Sequence, residues 1–218
     1  MSAPDFPDQL ASRASLAGIT LSPALAGQLE AYCRLLAHWN GRINLTALPL
    51  DPITDQAIDR LLIEPLAAAR HLSTDAPVWF DLGSGGGSPA IPMKLARPAG
   101  LLTMVESKER KAAFLREAVR VLHMDNASVE AQRIEALAAD NALAGTVDLI
   151  TVRAVRLDPI LFGAIRALLR FRGQVLFFGV KRTDWLVPRG FEAVDTHSAS
   201  PGCGDSALLV LTNVERRT

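Results

Sequence analysis

Cysteine is scarce in this chain. Cys33 and Cys203 are the only two in 218 residues, far apart and without the spacing of a metal or redox motif. A scaffold held together by disulfides is excluded, and a cytoplasmic protein without a metal site is expected. There is no run of about eighteen apolar residues and no basic start followed by an apolar stretch, so neither a membrane span nor a signal peptide is expected. Neither sign of charge prevails, because Lys+Arg and Asp+Glu number 23 each. Any nucleic-acid binding must then come from a local basic face. Internal repeats and low-complexity tracts are missing as well. So is a Ser-His-Asp, Cys-His or paired-carboxylate arrangement, since His38, His71, His123 and His197 lie scattered.

What is present is apolar material, 49% of residues, enough for one substantial core and a smaller appended element. Residues 1–75 read as a helical extension. Leu25, Leu29, Tyr32, Leu36 and Trp39 recur every three or four residues as one apolar stripe. A second helix is expected from about Asp55 to His71, kinked or interrupted at Pro65. Residues 76–218 alternate strand and helix, with strands near 78–82, 101–105, 127–131, 147–152 and 174–180. Helices are expected near 89–97, 108–122, 134–143 and 158–170, the last opened by the capping pair Asp158-Pro159. That rhythm predicts a parallel sheet with helices on both faces. Two further strand-like runs, 191–196 and 207–214, have no helix between them and should pair antiparallel. The result is an α/β fold with a mixed seven-stranded sheet and a ligand site at the carboxyl ends of the first strands.

The first strand runs into Asp81-Leu82-Gly83-Ser84-Gly85-Gly86-Gly87-Ser88-Pro89, a glycine turn followed by a helix. Glycine permits positive φ and lets a backbone approach a ligand closely. A phosphate-binding P-loop would need a Gly-Lys-Ser/Thr ending, and Gly86-Gly87-Ser88 has no lysine. The spacing Gly85-x-Gly87-x-x-Ala90 is an allowed dinucleotide fingerprint, so an NAD-binding oxidoreductase stays open. Glu106 ends the second strand about twenty residues after the turn, where a carboxylate can accept both ribose hydroxyls of an adenosine-containing cofactor. Its alternative is a cap on the helix that follows, near Lys108. Arg153, a charge at the end of a buried strand, needs a partner and can equally be one half of a structural ion pair.

The pattern Asp81-x-Gly83-x-Gly85-x-Gly87 resembles motif I of the class I methyltransferases that use S-adenosyl-L-methionine. The string Trp39-Asn40-Gly41-Arg42-Ile43-Asn44-Leu45-Thr46 is more specific still. With Phe80 to Pro92, Glu106-Ser107, Arg110-Lys111, Phe114-Leu115 and Val152-Arg153-Ala154, it resembles the RsmG (GidB) family, which methylates guanine N7 in small-subunit rRNA. The likeness spans nearly the whole chain. It departs where the family usually reads R-H-x-x-D-S, because this chain has Arg60-Leu61-Leu62-Ile63-Glu64-Pro65.

The resemblance implies a Rossmann-like class I methyltransferase fold, S-adenosylmethionine as cofactor and 16S rRNA or the small ribosomal subunit as substrate, with a monomer expected. It implies that Asp81 faces the methionine ammonium, that Gly83, Gly85, Gly87 and Ser88 line the cofactor, and that Glu106 holds the ribose. Ile134 and Glu135 would flank the adenine, and Arg153 would sit at the reactive end. RNA contacts would fall to Arg34, Arg42, Asn44, Arg60 and Lys181, with Arg110, Lys111 and Arg156 as further basic candidates. Asn40 and Trp39 are expected to serve structure, as a bend and as packing. No general base is expected, because guanine N7 already carries a free lone pair.

Overall fold

The computed structural model describes residues 5–72, 77–181, 187–198 and 206–215. Four α-helices, a π turn and a 3-10 turn precede the sheet among the described residues. α1 (Phe6–Leu16) is capped by Asp5, and α2 (Pro23–Asn40) by Ser22, whose hydroxyl accepts the Leu25 amide. The expected helix over residues 55–71 is instead broken into α3 (Asp55–Ile58), a π turn (Asp59–Ile63), α4 (Glu64–Ala68) and a 3-10 turn (Ala69–His71). Pro65 is the physical reason, since it offers no N–H to the ladder; the Glu64 amide just before it reaches back to the Asp59 carbonyl, the wide spacing of a π turn.

The sheet follows as β1 (Val78–Leu82), β2 (Leu101–Val105), β3 (Ala127–Glu130), β4 (Val147–Arg153), β5 (Leu169–Lys181), β6 (Phe191–Ser198) and β7 (Ser206–Asn213). Its order is β3-β2-β1-β4-β5-β7-β6, and β7 runs antiparallel to both of its neighbours. Helices α5 (Ala90–Ala96), α6 (Glu109–Val121), α7 (Ile134–Ala138) and α8 (Pro159–Leu168) make the crossovers. Two expectations are corrected here. The helix read over 134–143 is α7 followed by a separate 3-10 turn (Asn141–Leu143), and the chain leaves α8 two residues early to begin β5 at Leu169. Buried aliphatic residues such as Leu168 and Leu169 suit either structure, so the sequence pattern carries no boundary there.

Two apolar clusters cover the two faces of the sheet. Trp79, Leu102 and Met104 pack with α1, α2, the 55–72 segment, α5 and α6. Phe80, Leu82, Ile150 and Val175 pack with α7 and α8. The N-terminal helices therefore share one core with the sheet, and they do so on the face to which Asp81 also points, two residues after Trp79. Among the described residues no helix is long and apolar enough to cross a membrane.

A buried ion pair fastens α1 to the π turn: Arg13 Nε donates to Asp59 Oδ1 at 2.8 Å, and Asp59 is 2% exposed. Replacing Asp59 by Asn leaves a largely buried guanidinium short of charge, although Arg13 still reaches Asp55 at 3.9 Å. Asp59→Asn is expected to lower the unfolding free energy by about 3 kcal/mol in urea titrations. An unchanged midpoint would show that this pair does not fasten the N-terminal helices.

Candidate cofactor site

The direction of the sheet order reverses between β1 and β4, and the carboxyl ends of those strands face the crevice where open α/β sheets take ligands. β1 brings Asp81 there and β4 brings Thr151 directly beside it, by register. A polar chain crosses the interior. Trp79 Nε1 donates to Thr151 Oγ1 at 3.0 Å, and Thr151 Oγ1 donates to Asp81 Oδ1 at 2.6 Å. Asp81 Oδ2 is buried with no hydrogen-bond partner among the described residues. Burial pushes the Asp81 carboxyl up to about 6, against the opposing pull of Thr151, Ser84 and Arg153.

The glycine turn is shaped by close approach. Gly83, Gly85 and Gly87 have φ of +74°, +49° and +84°, and a Cβ at Gly83 or Gly87 would lie 2.5 Å from Val155 Cγ2 or 2.3 Å from Ile91 Cδ1. Four of the turn's amides donate inside the protein. Gly83 and Ser84 donate to the Val105 carbonyl, Gly85 to Glu106 Oε2 at 3.0 Å and Gly87 to the Ser84 carbonyl. Glu106 Oε1 accepts the amide of Lys108, the residue that precedes α6, at 2.8 Å, so both carboxylate oxygens hold backbone N–H groups. A carboxylate has about four lone-pair directions, and two remain for a ligand hydroxyl.

The N-terminal helices close this site from one side. Tyr32 Oη, wholly buried on α2, donates to the Gly86 carbonyl at 2.7 Å. Ser88 Oγ donates to the Leu61 carbonyl at 2.9 Å. Arg153 Nη2 pairs with Glu64 Oε2 at 2.7 Å, its Nη1 donates to the Arg60 carbonyl, and its guanidinium lies 4.8 Å from the Phe178 ring centroid. The structural ion pair is thus present. The segment that departs from the family string, Arg60 to Pro65, is the one that reaches these strand ends. Arg153 Nε and Glu64 Oε1 are, like Asp81 Oδ2, buried without a hydrogen-bond partner among the described residues.

The remaining residues divide. Ile134 begins α7, half-buried after β3, and Glu135 beside it is exposed. Arg60 is 29% exposed and lies 3.5 Å from Glu64 Oε1. Arg42 and Asn44 are exposed in the turn after α2, and the Arg42 carbonyl accepts from Arg110 Nη2 at 3.4 Å. Arg34 stands on the far side of α2 from Tyr32, exposed and paired with Glu30, away from the cluster. The Lys181 side chain lies outside the described residues, as does Cys203, while Cys33 is buried. Asn40 Oδ1 accepts the amides of Leu45 and Thr46, and Trp39 packs edge-on to Phe114, both structural. Sequence reasoning missed Tyr32, Thr151 and Glu64. Thr151 was signalled only by its spacing of two from Arg153, and Tyr32 looked like any residue of its apolar stripe.

The strand order and the site define a class I methyltransferase fold. Solved structures support it: the putative methyltransferase yhhF from Escherichia coli superposes with a TM-score of 0.58 at 13% identity, covering 71% of this chain and 88% of that one. A mutant of MtNAS, solved in complex with S-adenosylmethionine, gives 0.52 at 12% identity over 98% of this chain and all of that one. Within that class the chain belongs to the family described as GidB, rRNA small subunit methyltransferase G, which matches residues 26–185. A Stenotrophomonas maltophilia protein named ribosomal RNA small subunit methyltransferase G is 43% identical over 142 residues, covering 64% of this chain and only 62% of its own length. A Pseudomonas entomophila protein of the same name is 29% identical over 91% of this chain and 84% of its own.

Asp81 generates a pH-dependent cost. Its carboxyl is raised in the folded state, so the native protein binds a proton that the unfolded chain has already lost. Stability should fall as pH rises from about 4 to about 6, and stay level above. Asp81→Asn should therefore be more stable than the parent by about 2–3 kcal/mol above pH 6, with the gain fading toward pH 4. Parallel urea titrations check this, and a difference independent of pH would contradict it.

Proposed function

We propose that this chain transfers a methyl group from S-adenosylmethionine to N7 of a guanine in 16S rRNA of the small ribosomal subunit. The observation that carries the reading is Asp81 Oδ2 at the tip of β1, unpartnered among the described residues, with the Glu106 carboxylate just past the end of β2 across the same glycine turn. Two acids and a turn in which four amides already donate internally suit a ligand that presents an ammonium and ribose hydroxyls. A pyrophosphate binds free backbone N–H groups, and those of Gly83, Ser84, Gly85 and Gly87 are already engaged. The antiparallel β7 also departs from the dinucleotide-binding strand order, so the NAD reading is set aside.

Asp81 would take the methionine ammonium, Glu106 the ribose, and Ile134 and Glu135 the edges of the adenine. Gly83 to Ser88 would supply the wall that lies along the ligand, and Arg153 the far end. When bound, the cofactor supplies an electrophilic methyl carbon, and guanine N7 meets it with a lone pair free at neutral pH. The chain needs no base. Its work is alignment of the two reactants, an effect of up to about 7–11 kcal/mol. Exposed Arg42, with Arg110 beside it, and Arg60 and Lys181 would hold phosphates while an unpaired loop presents the base.

Glu106→Ala should weaken S-adenosylmethionine binding by about 1–3 kcal/mol in calorimetry, since it removes charged hydrogen bonds. An unchanged dissociation constant would show the ribose to be elsewhere. N7-methylguanosine mapping in 16S rRNA from cells with and without the protein tests the substrate. One guanine should lose its methyl group in the deletion and regain it on complementation, and an identical map in both strains would refute the assignment.

A further inference from the structure

Pro65 carries no backbone N–H, and the two carbonyls that its N–H would serve are identifiable. An α-helical ladder would join it to Leu61 and a π ladder to Arg60. Those are the carbonyls that reach across to the sheet: Leu61 accepts Ser88 Oγ at 2.9 Å, and Arg60 accepts Arg153 Nη1. The neighbouring Glu64 adds the 2.7 Å ion pair to Arg153, and Glu64 and Pro65 are both buried. One gap in a helix thus faces the glycine turn on one side and the end of β4 on the other. We propose that Pro65 is a positioning residue: by withholding its N–H it leaves the Arg60 and Leu61 carbonyls to fix Arg153 and Ser88 at the two edges of the cofactor site.

The arrangement costs the helix a hydrogen bond and keeps a π turn in place of a regular α ladder, which local stability alone does not favour. It returns a defined orientation for a buried guanidinium and for a hydroxyl in a turn that moves if its anchor moves. Pro65 touches no ligand, so its effect travels through Ser88 and Arg153. The proposal rests on the reading that these two residues border the S-adenosylmethionine site.

The test uses the full chain and S-adenosylmethionine itself. Pro65→Ala restores the N–H, which competes for the same carbonyls. The ligand-free variant should melt at the parent temperature or higher, while its affinity for S-adenosylmethionine falls by about tenfold. Ser88→Ala should weaken binding in the parent, yet add little in the Pro65→Ala background, where the hydroxyl has already lost its acceptor. Equal affinity in Pro65→Ala, or penalties that simply add, would overturn the proposal. So would a fall in melting temperature, because Pro65 would then be serving stability. Failure of the parent to bind S-adenosylmethionine would strike the functional reading first and this inference with it, so the two failures are told apart.

Discussion

The carboxylate of Asp81 lies under the sheet's carboxyl edge with one oxygen held by Thr151 and the other held by nothing among the described residues. A buried charge in that condition is costly, and folded proteins keep such a group where something else will complete it. Much of the local structure follows from holding it. Trp79 steers Thr151, Thr151 orients the carboxyl, and the positive-φ glycines carry the chain past it without a Cβ in the way. Because burial raises the carboxyl's affinity for a proton, a cation arriving at Asp81 displaces that proton below about pH 6.

The helices that precede the sheet are part of this arrangement. Tyr32 and Leu36 of α2 touch Gly86, and the broken helix around Pro65 holds Ser88 and Arg153. The cofactor turn is thus clamped between β1 and elements far earlier in the chain. Displacing those helices would release the turn together with the ion pair at the end of β4. Exposed Arg42 follows α2 closely, and its carbonyl accepts from Arg110 of α6.

The sequence made the sheet legible because its strands are short apolar runs separated by helical periods. Residues 78–82 and 101–105 match β1 and β2 to the residue. Asp81 and Glu106 were legible for a related reason, each being an acid placed where an apolar run ends. What stayed hidden depends on contacts between distant segments. Thr151 acquires its role only through the β1–β4 register, and Glu64 only through the fold of the N-terminal helices over Arg153. The glycine turn was legible as a place of close approach, but nothing local reveals that Val105 and Glu106 accept the amides of Gly83, Ser84 and Gly85. Pro65 announced an interruption, but not that the helix would answer with a π turn.

We propose that Asp81 is one half of an ion pair that a cationic ligand completes. Carbon-13 NMR of the labelled Asp81 carboxyl, titrated with and without S-adenosylmethionine, measures this directly. The free protein should show a midpoint near 6, and saturating ligand should drive it well below the ordinary carboxylate range. A midpoint that starts at an ordinary aspartate value, or that ignores the ligand, would contradict the account.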